Sequence, residues 1–376
     1  MKYMGSKRAM LRNGLGEILQ DQIPRCSRFV DLFAGSSAVA RHVAENFPVS
    51  VIASDLQTYS AVLADAVLLR THEENGTWIE GWMASANAAL LRHSAYPSFA
   101  SLSQGIGKTS VDELAADARE MCSDRTEPIV QAYGGYYFSP LQCLMLHCLR
   151  EALPSKKATS RIGLAAMIEA ASVCAAAPGH TAQPFKPNDT AGKFLVEAWS
   201  KDLWGIVRKK AETISATYAL KKGKAIIGDA NEIAQTLQQG DLVFVDPPYS
   251  AVHYSRFYHV LETIASGSKV EVSGEGRYPP PEERPRSDYS IGSKSSEAMC
   301  DLLEKLSVRG CRVIITFPAN AASNGLSGET VQEIASEYFE VESATIHGRF
   351  STLGGNKKHR TARQKSEELV LSLAPR

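Results

Sequence analysis

The apolar and polar positions near the start of the chain predict a strand, a helix and a second strand. Residues 29–33 form a short apolar run that ends in a small-residue turn, as expected of a buried strand. Residues 36–47 then repeat apolar side chains at helical spacing, and Ser36 or Ser37 is placed to cap the helix. A second strand-like run at 49–55 ends in an aspartate. This order predicts a βαβ unit with parallel strands.

Strand signals return in the last part of the chain. Five further runs are predicted to form strands: 225–230, 241–250, 311–320, 343–350 and 367–373. The long middle section differs, because helical patterns such as those at 142–153 and 163–176 dominate it and no strand pattern is convincing there. The sequence therefore predicts an α/β protein whose sheet is interrupted by a mainly helical insertion.

The same patterns set the expected domain boundaries. Residues 1–60 and 225–376 are predicted to form one α/β domain, and residues 61–224 the helical insertion. Within the α/β domain, residues 267–297 are rich in glycine, proline, serine and charge. We expect them to form a flexible surface loop, of a length that often has a function.

Composition narrows the class of protein. The 376 residues carry 41 lysines and arginines against 41 acids, which excludes a globally basic nucleic-acid coat but leaves room for local basic patches. The seven cysteines are odd in number and include no CxxC pair, so free thiols in a reducing compartment are expected. No apolar run reaches the ~18 residues of a membrane span, and the opening residues lack a secretory signal. A cytoplasmic protein with no membrane partner is predicted.

The most informative motif is Asp246-Pro247-Pro248-Tyr249, at the end of a predicted buried strand. Open α/β sheets bind their ligands at this end of their strands. Alone, the tetrapeptide could be a simple strand stop, since prolines end strands and an aspartate caps turns. Its residue types nevertheless suit the methylation of an exocyclic amino group, whose lone pair is delocalised into an aromatic ring. The carboxylate and a proline carbonyl can accept the two N–H bonds, and the tyrosine ring can stack on a flipped base.

A second motif, Asp31-Leu32-Phe33-Ala34-Gly35-Ser36-Ser37, follows the first predicted strand. A dinucleotide fingerprint would read GxGxxG, whereas only Gly35 is present, so a pyrophosphate ligand is poorly supported. A cofactor without phosphates, such as S-adenosylmethionine, fits better. Asp55 lies 20 residues after Gly35, where an acid would bind ribose hydroxyls. The alternative for Asp55 is a local turn or helix cap.

Together these residues resemble the N6-adenine-specific DNA methyltransferases of the DNA adenine methylase type. The features that match, in the family's order, are the opening Lys2-Tyr3-Met4-Gly5-Ser6-Lys7, the DLFAG segment, Ser54-Asp55, the DPPY motif and Tyr254-Ser255-Arg256-Phe257-Tyr258. The chain departs from the family pattern at Tyr3, where tryptophan is common, and at Ser36, where a second glycine would stand. The joint pattern is far more specific than DPPY alone.

The resemblance implies a Rossmann-like, S-adenosylmethionine-dependent methyltransferase sheet whose helical insertion recognises the target. It also implies roles for individual residues. Cofactor contacts are implied for Tyr3, Lys7, Asp31, Phe33, Gly35, Asp55, Asp229 and Asp246, with Asp55 at the ribose and Asp229 near the adenine. The catalytic residues that hold the target base would be Asp246, Pro247, Pro248 and Tyr249.

The implied activity is methylation of adenine N6 in double-stranded DNA, by base flipping and direct transfer. The same chemistry would suit a cytosine N4 or an RNA adenine methyltransferase, and a catalytically inactive DNA-binding partner is the alternative from another class. No metal is expected, since the nine histidines show no metal spacing and methyl transfer needs none. A companion restriction endonuclease would fit this family, while the sequence specifies neither the recognition sequence nor the oligomeric state.

DNA contacts are expected from local features of the chain. Residues 349–365 hold six basic residues and no acid, around two glycines, which suits a loop that follows phosphates. The DNA-binding candidates are Lys357, Lys358, Arg360 and Arg363, with Gln183 as a base-reading side chain able to pair with adenine. A second basic stretch, 201–224, has seven basic residues against two acids and could be a solvated face. The aromatic run 133–138 could pack in a core or line a pocket.

Overall fold

The computed structural model describes residues 7–350 and 364–376, which fall into two compact units. One unit contains the sheet and is built from residues 7–72, 218–254, 285–350 and 364–376. The other is helical and consists of Glu73–Thr217 and Ser255–Arg284. Tyr3, Lys357, Lys358, Arg360 and Arg363 lie outside the described residues.

The sheet has seven strands in the order β3-β2-β1-β4-β5-β7-β6. Their bounds are β1 Arg28–Asp31, β2 Ser50–Asp55, β3 Lys224–Ile227, β4 Asp241–Val245, β5 Arg312–Pro318, β6 Phe339–Phe350 and β7 Gln364–Pro375. The first five are parallel to one another, while β7 is antiparallel to both β5 and β6. Every predicted strand is therefore confirmed, with ends that differ by a few residues.

The strands form because their side chains alternate between two apolar layers. Val30, Val243 and Val313 point into one layer, and their neighbours in sequence point into the other. A central strand such as β4 is consequently buried at all five positions, as is typical of parallel sheets covered on both faces. The helices of this unit are α1 Leu15–Gln22, α2 Ala38–Asn46, α3 Thr58–Leu68, α12 Ala230–Ala234, α14 Ser295–Val308 and α15 Gly328–Tyr338.

The helical unit contains most of the predicted insertion and one segment from later in the chain. Its helices are α4 Thr77–Arg92, α5 Tyr96–Gln104, α6 Val111–Ser123, α7 Pro128–Tyr133, α8 Pro140–Glu151, α9 Lys157–Cys174, α10 Gly192–Trp199, α11 Leu203–Ser215 and most of α13 Tyr254–Ser266. Helix α8 begins at a capping box, in which Ser139 and Gln142 satisfy each other's backbone amides. Both strong helix predictions, 142–153 and 163–176, fall on helices of this unit.

The boundaries of the two units differ from those expected. The helical unit begins at Glu73 rather than at residue 61, because α3 packs on β2 and β3. It also takes in Ser255–Arg284, so the expected loop 267–297 is divided between the units. Among residues 7–350 and 364–376, no helix has both the length and the apolar character needed to cross a membrane.

Candidate active site at the carboxyl ends of the strands

Strand alternation places four polar side chains on one face of the sheet, at its carboxyl edge. Phe29 and Leu242 belong to the apolar layer on that face, and the period of two brings Asp31 and Asp246 to the same face. Thr316 follows the same rule after Ile314 on β5. On β7, Val370 pairs with Thr316, so Glu368 shares its face two residues away. These residues therefore converge from β1, β4, β5 and β7.

Lys7 contributes a buried ammonium group to this edge. Its Nζ lies 3.1 Å from Asp246 Oδ1 and 2.7 Å from Glu368 Oε2, and only 4% of its side chain is exposed. Burial alone would lower the pKa of the ammonium group, but the two carboxylates outweigh burial and raise that pKa above its ordinary value. Lys7 is therefore a cation held between two acids. Its contact with a cofactor, implied by the family resemblance, stays a prediction.

The negative charge of the Asp246 carboxylate is partly neutralised by its neighbours. Burial raises the pKa of its carboxyl to about 6, while Lys7 and a hydrogen bond from Thr316 oppose that rise. Thr316 Oγ1 donates to Asp246 Oδ1 at 2.9 Å, the same oxygen that faces Lys7. Among the described residues, Oδ2 accepts no hydrogen bond. One oxygen is thus fixed by the protein, and the other is available to accept an N–H bond from a ligand.

The rest of the DPPY segment is fixed by contacts with neighbouring segments. Asn324 Nδ2 donates to the Pro248 carbonyl at 2.9 Å and to the Tyr289 carbonyl at 3.0 Å, which ties the segment to the loop after β5. The ring of Tyr249 meets that of Tyr254 edge to face at a centroid distance of 6.5 Å. Burial raises the pKa of the Tyr249 hydroxyl, so it stays neutral at ordinary pH.

Asp31 is the most deeply buried acid at this edge. Only 2% of the residue is exposed, and its Oδ1 has no hydrogen-bond partner among residues 7–350 and 364–376. Burial and the nearby charge of Asp246 raise the pKa of Asp31 to about 8, although two backbone amides oppose the rise. A buried acceptor without a partner is costly for the isolated protein. It would be satisfied by a cationic or hydrogen-bonding ligand.

The turn after β1 is closed by Asp55. Gly35 N donates to Asp55 Oδ2 at 2.8 Å, and Gln57 N donates to Asp55 Oδ1 at 3.0 Å. Gly35 has a φ of 50°, which glycine adopts without strain. The expected cap by Ser36 or Ser37 does not form: Ser37 stands at the N-cap of α2, but its φ of 57° turns its hydroxyl away from the helix, and it donates to the Ser60 carbonyl.

The remaining cofactor candidates are packed nearby in the same unit. Phe33 meets Tyr289 edge to face at 5.1 Å, and the Tyr289 hydroxyl donates to Asn231 Oδ1 at 2.7 Å. Asp229 caps α12, since its carboxylate accepts from the backbone amide of Asn231 at 2.8 Å. The structure therefore gives Asp229 a local role, and its predicted contact with the cofactor adenine stays a prediction.

In the helical unit, the aromatic run 133–138 belongs mainly to a core. Tyr133, Tyr137 and Phe138 are fully buried. The Tyr137 hydroxyl donates to the Thr181 carbonyl at 2.6 Å. The run therefore has the packing role that was one of its two interpretations.

Tyr136 differs, because it lines a cavity of about 320 Å³ in the helical unit. The guanidinium of Arg119 lies 4.4 Å from its ring centre. Gln183 also lines this cavity, next to Phe185 and Lys186. The loop that carries Gln183 therefore exposes polar and aromatic side chains around one recess.

Sequence reasoning missed three residues of the active-site edge: Thr316, Asn324 and Glu368. Two of them had a readable signal. Thr316 is a polar residue in an otherwise apolar strand, and Glu368 is an acid at the start of another. Asn324 had none, because a loop asparagine is unremarkable until its partners are known. In the part of the chain that the structure describes, no group of three or more histidine, cysteine, aspartate or glutamate side chains is arranged to hold a metal ion.

A mostly parallel sheet with acids at its carboxyl edge is the architecture of Rossmann-like methyltransferases. Within that class, the chain belongs to the D12 class of N6 adenine-specific DNA methyltransferases, whose sequence model matches residues 3–81 and 191–312, just over half of the chain. The matched segments include Lys7, Asp31, Asp55 and Asp246. They pass over residues 82–190, most of the helical unit.

Individual relatives agree with this family. The chain is 24% identical over 322 residues to modification methylase LlaI of Lactococcus lactis subsp. lactis, covering 81% of this chain and 44% of the relative. It is 24% identical over 328 residues to modification methylase StsI of Streptococcus sanguinis, covering 84% of this chain and 44% of the relative. Type II methyltransferase M.FokI of Planomicrobium okeanokoites gives 24% over 325 residues, covering 82% and 43%. The chain thus spans less than half the length of these curated relatives.

Proposed function

We propose that this chain is a site-specific DNA methyltransferase that transfers a methyl group from S-adenosylmethionine to adenine N6 in double-stranded DNA. The observation that carries the proposal is the environment of Asp246. One oxygen is fixed by Lys7 and Thr316, and the other accepts no hydrogen bond from residues 7–350 or 364–376. A carboxylate in this state suits an exocyclic amino group, which presents N–H donors and becomes cationic when it is methylated.

The chain's own residues would act on the target amino group in three ways. Asp246 accepts one N–H bond and receives the proton that the nitrogen loses. The DPPY backbone presents a second acceptor, the carbonyl of Pro247, and the segment is braced by the bond from Asn324 to the Pro248 carbonyl. The ring of Tyr249 offers a face on which an extruded base can stack. Together these contacts orient the nitrogen lone pair toward the methyl donor.

The residues at this edge fit S-adenosylmethionine. The buried Oδ1 of Asp31, which has no partner among the residues that the structure describes, would be satisfied by the ammonium group of a methionine moiety. The turn at Gly35 lacks the glycines of a pyrophosphate site, and Asp55 stands at the end of the neighbouring strand, where ribose hydroxyls are bound. When bound, the cofactor supplies the methyl group, whose bond to sulfur breaks as its bond to nitrogen forms. Asp31, Phe33, Gly35 and Asp55 would hold it.

Incubation with tritiated S-adenosylmethionine and plasmid DNA, followed by nucleoside analysis, tests the activity. We expect label in N6-methyl-2′-deoxyadenosine from duplex DNA. Label in N4-methylcytosine or in RNA would support the nearest alternatives instead. Binding of DNA without any transfer would support a catalytically inactive partner. Sequencing of methylated DNA from an expressing host would then give the recognition sequence.

Target recognition belongs to the helical unit in this proposal. Gln183 lines a recess with Arg119 and Tyr136, in a segment that the family match passes over. Amide and guanidinium groups are the side chains that read base edges in the major groove. Two of the three relatives are named modification methylases, and on that basis we also propose a role in restriction-modification, with a companion endonuclease. A cytoplasmic location stays a prediction.

Phosphate contacts are proposed for the basic loop. Replacing Lys357, Lys358 and Arg360 together with alanine should lower the slope of log affinity against log salt by roughly two to three units, because fewer counterions are released. Affinity for cognate and unrelated DNA should fall alike. An unchanged slope would show that these side chains are only solvated, and a loss confined to cognate DNA would show that they read bases.

A further inference from the structure

We infer that Glu368 is a positioning residue that sets the charge and orientation of the Asp246 carboxylate by sharing Lys7 with it. The inference rests on the proposed function, in which Asp246 accepts a hydrogen bond from the target amino group. Lys7 Nζ is closer to Glu368 Oε2, at 2.7 Å, than to Asp246 Oδ1, at 3.1 Å. The exposed fractions are 4% for the Lys7 side chain, 9% for that of Glu368 and 17% for that of Asp246. At this depth, solvent screens their interactions little.

The sheet itself delivers Glu368 to this position. Strand β5 stands between β4 and β7. Thr316 on β5 bonds directly to Asp246, and its register partner on β7 is Val370. Glu368 is two residues from Val370 and therefore on the same face. Because β7 runs antiparallel, residues near its beginning lie at the carboxyl edge of the parallel strands, where Glu368 can reach Lys7.

Sharing one ammonium between two carboxylates changes what Asp246 can do. An aspartate paired one-to-one with a lysine is fully compensated, and its oxygens are weak acceptors. Here Glu368 takes the shorter contact, so the trio of Lys7, Asp246 and Glu368 keeps one net negative charge. That charge lies where the target nitrogen becomes cationic. Electrostatic stabilisation of developing charge is often the largest contribution to catalysis.

No other described group near Asp246 can replace this effect. From β1 it faces the acid Asp31, whose own pKa is raised partly by Asp246. From β5 it faces the neutral Thr316, and Tyr249 follows in its own segment. Of the groups that shift the pKa of Asp246 most, Lys7 is the cation. The ionisation of Asp246 therefore depends on how Lys7 divides its charge with Glu368.

Glu368→Gln and Lys7→Gln test this inference, because they should act in opposite directions. In Glu368→Gln, Lys7 belongs to Asp246 alone, so Asp246 should titrate at a pH lower by about one unit. In Lys7→Gln the carboxylate loses its cation and should titrate at a higher pH. Both variants should methylate DNA more slowly, by roughly ten- to a hundredfold at pH 8, because the acceptor is misplaced or too weak.

The titration is read directly by ¹³C NMR of protein labelled at the aspartate carboxyl carbon, with Asp246→Asn to assign the signal. Glu342→Gln is the matched control, since it removes an exposed carboxylate from neighbouring β6 and should change neither rate nor titration. If Glu368→Gln does not fold, Glu368→Asp replaces it. That variant withdraws the carboxylate from Lys7 by one methylene and should give a smaller shift of the same sign.

An Asp246 titration that is unchanged in the folded Glu368 variant would overturn the inference, as would equal rate losses in Glu368→Gln and Glu342→Gln. The NMR measurement does not depend on methyl transfer. A shifted titration in a protein that methylates no adenine would therefore sustain the coupling and reject only the proposed function.

Discussion

Strand β4 carries an aspartate at each end, and the two have opposite surroundings. Asp241, at the amino end, is fully buried and accepts two bonds from Arg28, Nε to Oδ1 at 2.9 Å and Nη2 to Oδ2 at 2.5 Å. The amide of Gln238 adds a third bond at 3.0 Å. Asp246, just past the carboxyl end, shares the Lys7 ammonium group with Glu368, and its Oδ2 has no hydrogen-bond donor in the part of the chain that the structure describes.

The difference extends across the sheet. The amino ends of β1 and β5 begin with cations, Arg28 and Arg312, and each is bonded to neighbouring groups. The carboxyl ends of β1 and β2 finish with the acids Asp31 and Asp55. The cations at the amino edge are held by hydrogen-bonded partners, whereas at the carboxyl edge burial raises the pKa of Asp31 to about 8 and that of Asp246 to about 6. We propose that the amino edge serves stability and that the carboxyl edge serves chemistry.

The largest expected effect separates these two roles at Asp246. Asp246→Ala should lower methyl transfer at least about a thousandfold, because it removes the proposed acceptor for the amino group. The melting temperature and DNA affinity should hardly change, since the residue lies beyond the strand and leaves no cavity in the core. Single-turnover assays with thermal unfolding and DNA-binding measurements check this. Near-normal turnover by the folded variant would refute the proposed chemistry.

The matched substitution at the other end should do the reverse. Asp241→Ala leaves Arg28 without its partner and should lower the free energy of unfolding by about 2–4 kcal/mol, less than for a fully buried pair because Arg28 is partly exposed. The transfer rate of each folded molecule should stay at the wild-type value. Denaturant unfolding and active-site titration measure both quantities. A variant that is stable but slow would show that the two ends of β4 are not divided in this way.

The sequence predicted the carboxyl edge better than the amino edge, for a physical reason. Asp246 and Asp55 follow apolar runs and stand in short local motifs, which are visible in one dimension. Arg28 and Asp241 are 213 residues apart. No local sequence pattern around either residue predicts that they pair. Glu368 was missed for the same reason, since its meaning depends on Lys7 at the other end of the chain.

The limits of the helical unit were also hidden from local patterns. Helix α3 has a nearly continuous apolar composition, and only its packing on β2 and β3 assigns it to the sheet unit. The segment after Ser255 is assigned to the helical unit by contacts such as the hydrogen bond between Tyr133 and Thr263, at 2.9 Å. Element types followed from sequence periodicity, whereas their grouping needed contacts across long stretches of chain.

Asp55 provides a smaller test of the same division. Asp55→Ala should weaken cofactor binding by about 1–3 kcal/mol, because the proposed ribose contact and the hydrogen bond from Gly35 are both lost. Asp65→Ala is the matched control: its carboxylate also accepts a backbone amide, that of Ala225 at 2.9 Å, but at the amino end of β3. The control should lose stability and keep its cofactor affinity. Calorimetry with S-adenosylmethionine distinguishes the two variants. Equal cofactor affinities in both would show that Asp55 does not line the cofactor pocket.

The smallest expected effect is a pH dependence of stability that comes from Asp31. Its folded-state pKa of about 8 lies well above the ordinary value. Between those values the folded protein holds a proton that the unfolded chain has released, so stability should fall as pH rises. From pH 6 to pH 8 the loss should be about 2 kcal/mol in the absence of cofactor. Asp31→Asn stays neutral at every pH and should remove this slope.

Denaturant unfolding at the two pH values measures the slope in wild type and in Asp31→Asn. Asp246, with a pKa of about 6, titrates mostly below this window and contributes little to it. Saturating S-adenosylmethionine should flatten the wild-type slope, because its ammonium group would stabilise the ionised carboxylate. A slope that persists unchanged in Asp31→Asn would assign the pH dependence to another group. Asp31 would then be an ordinary ionised carboxylate, and the surroundings of the acids at the two edges of the sheet would differ less than those of Asp241 and Asp246 do.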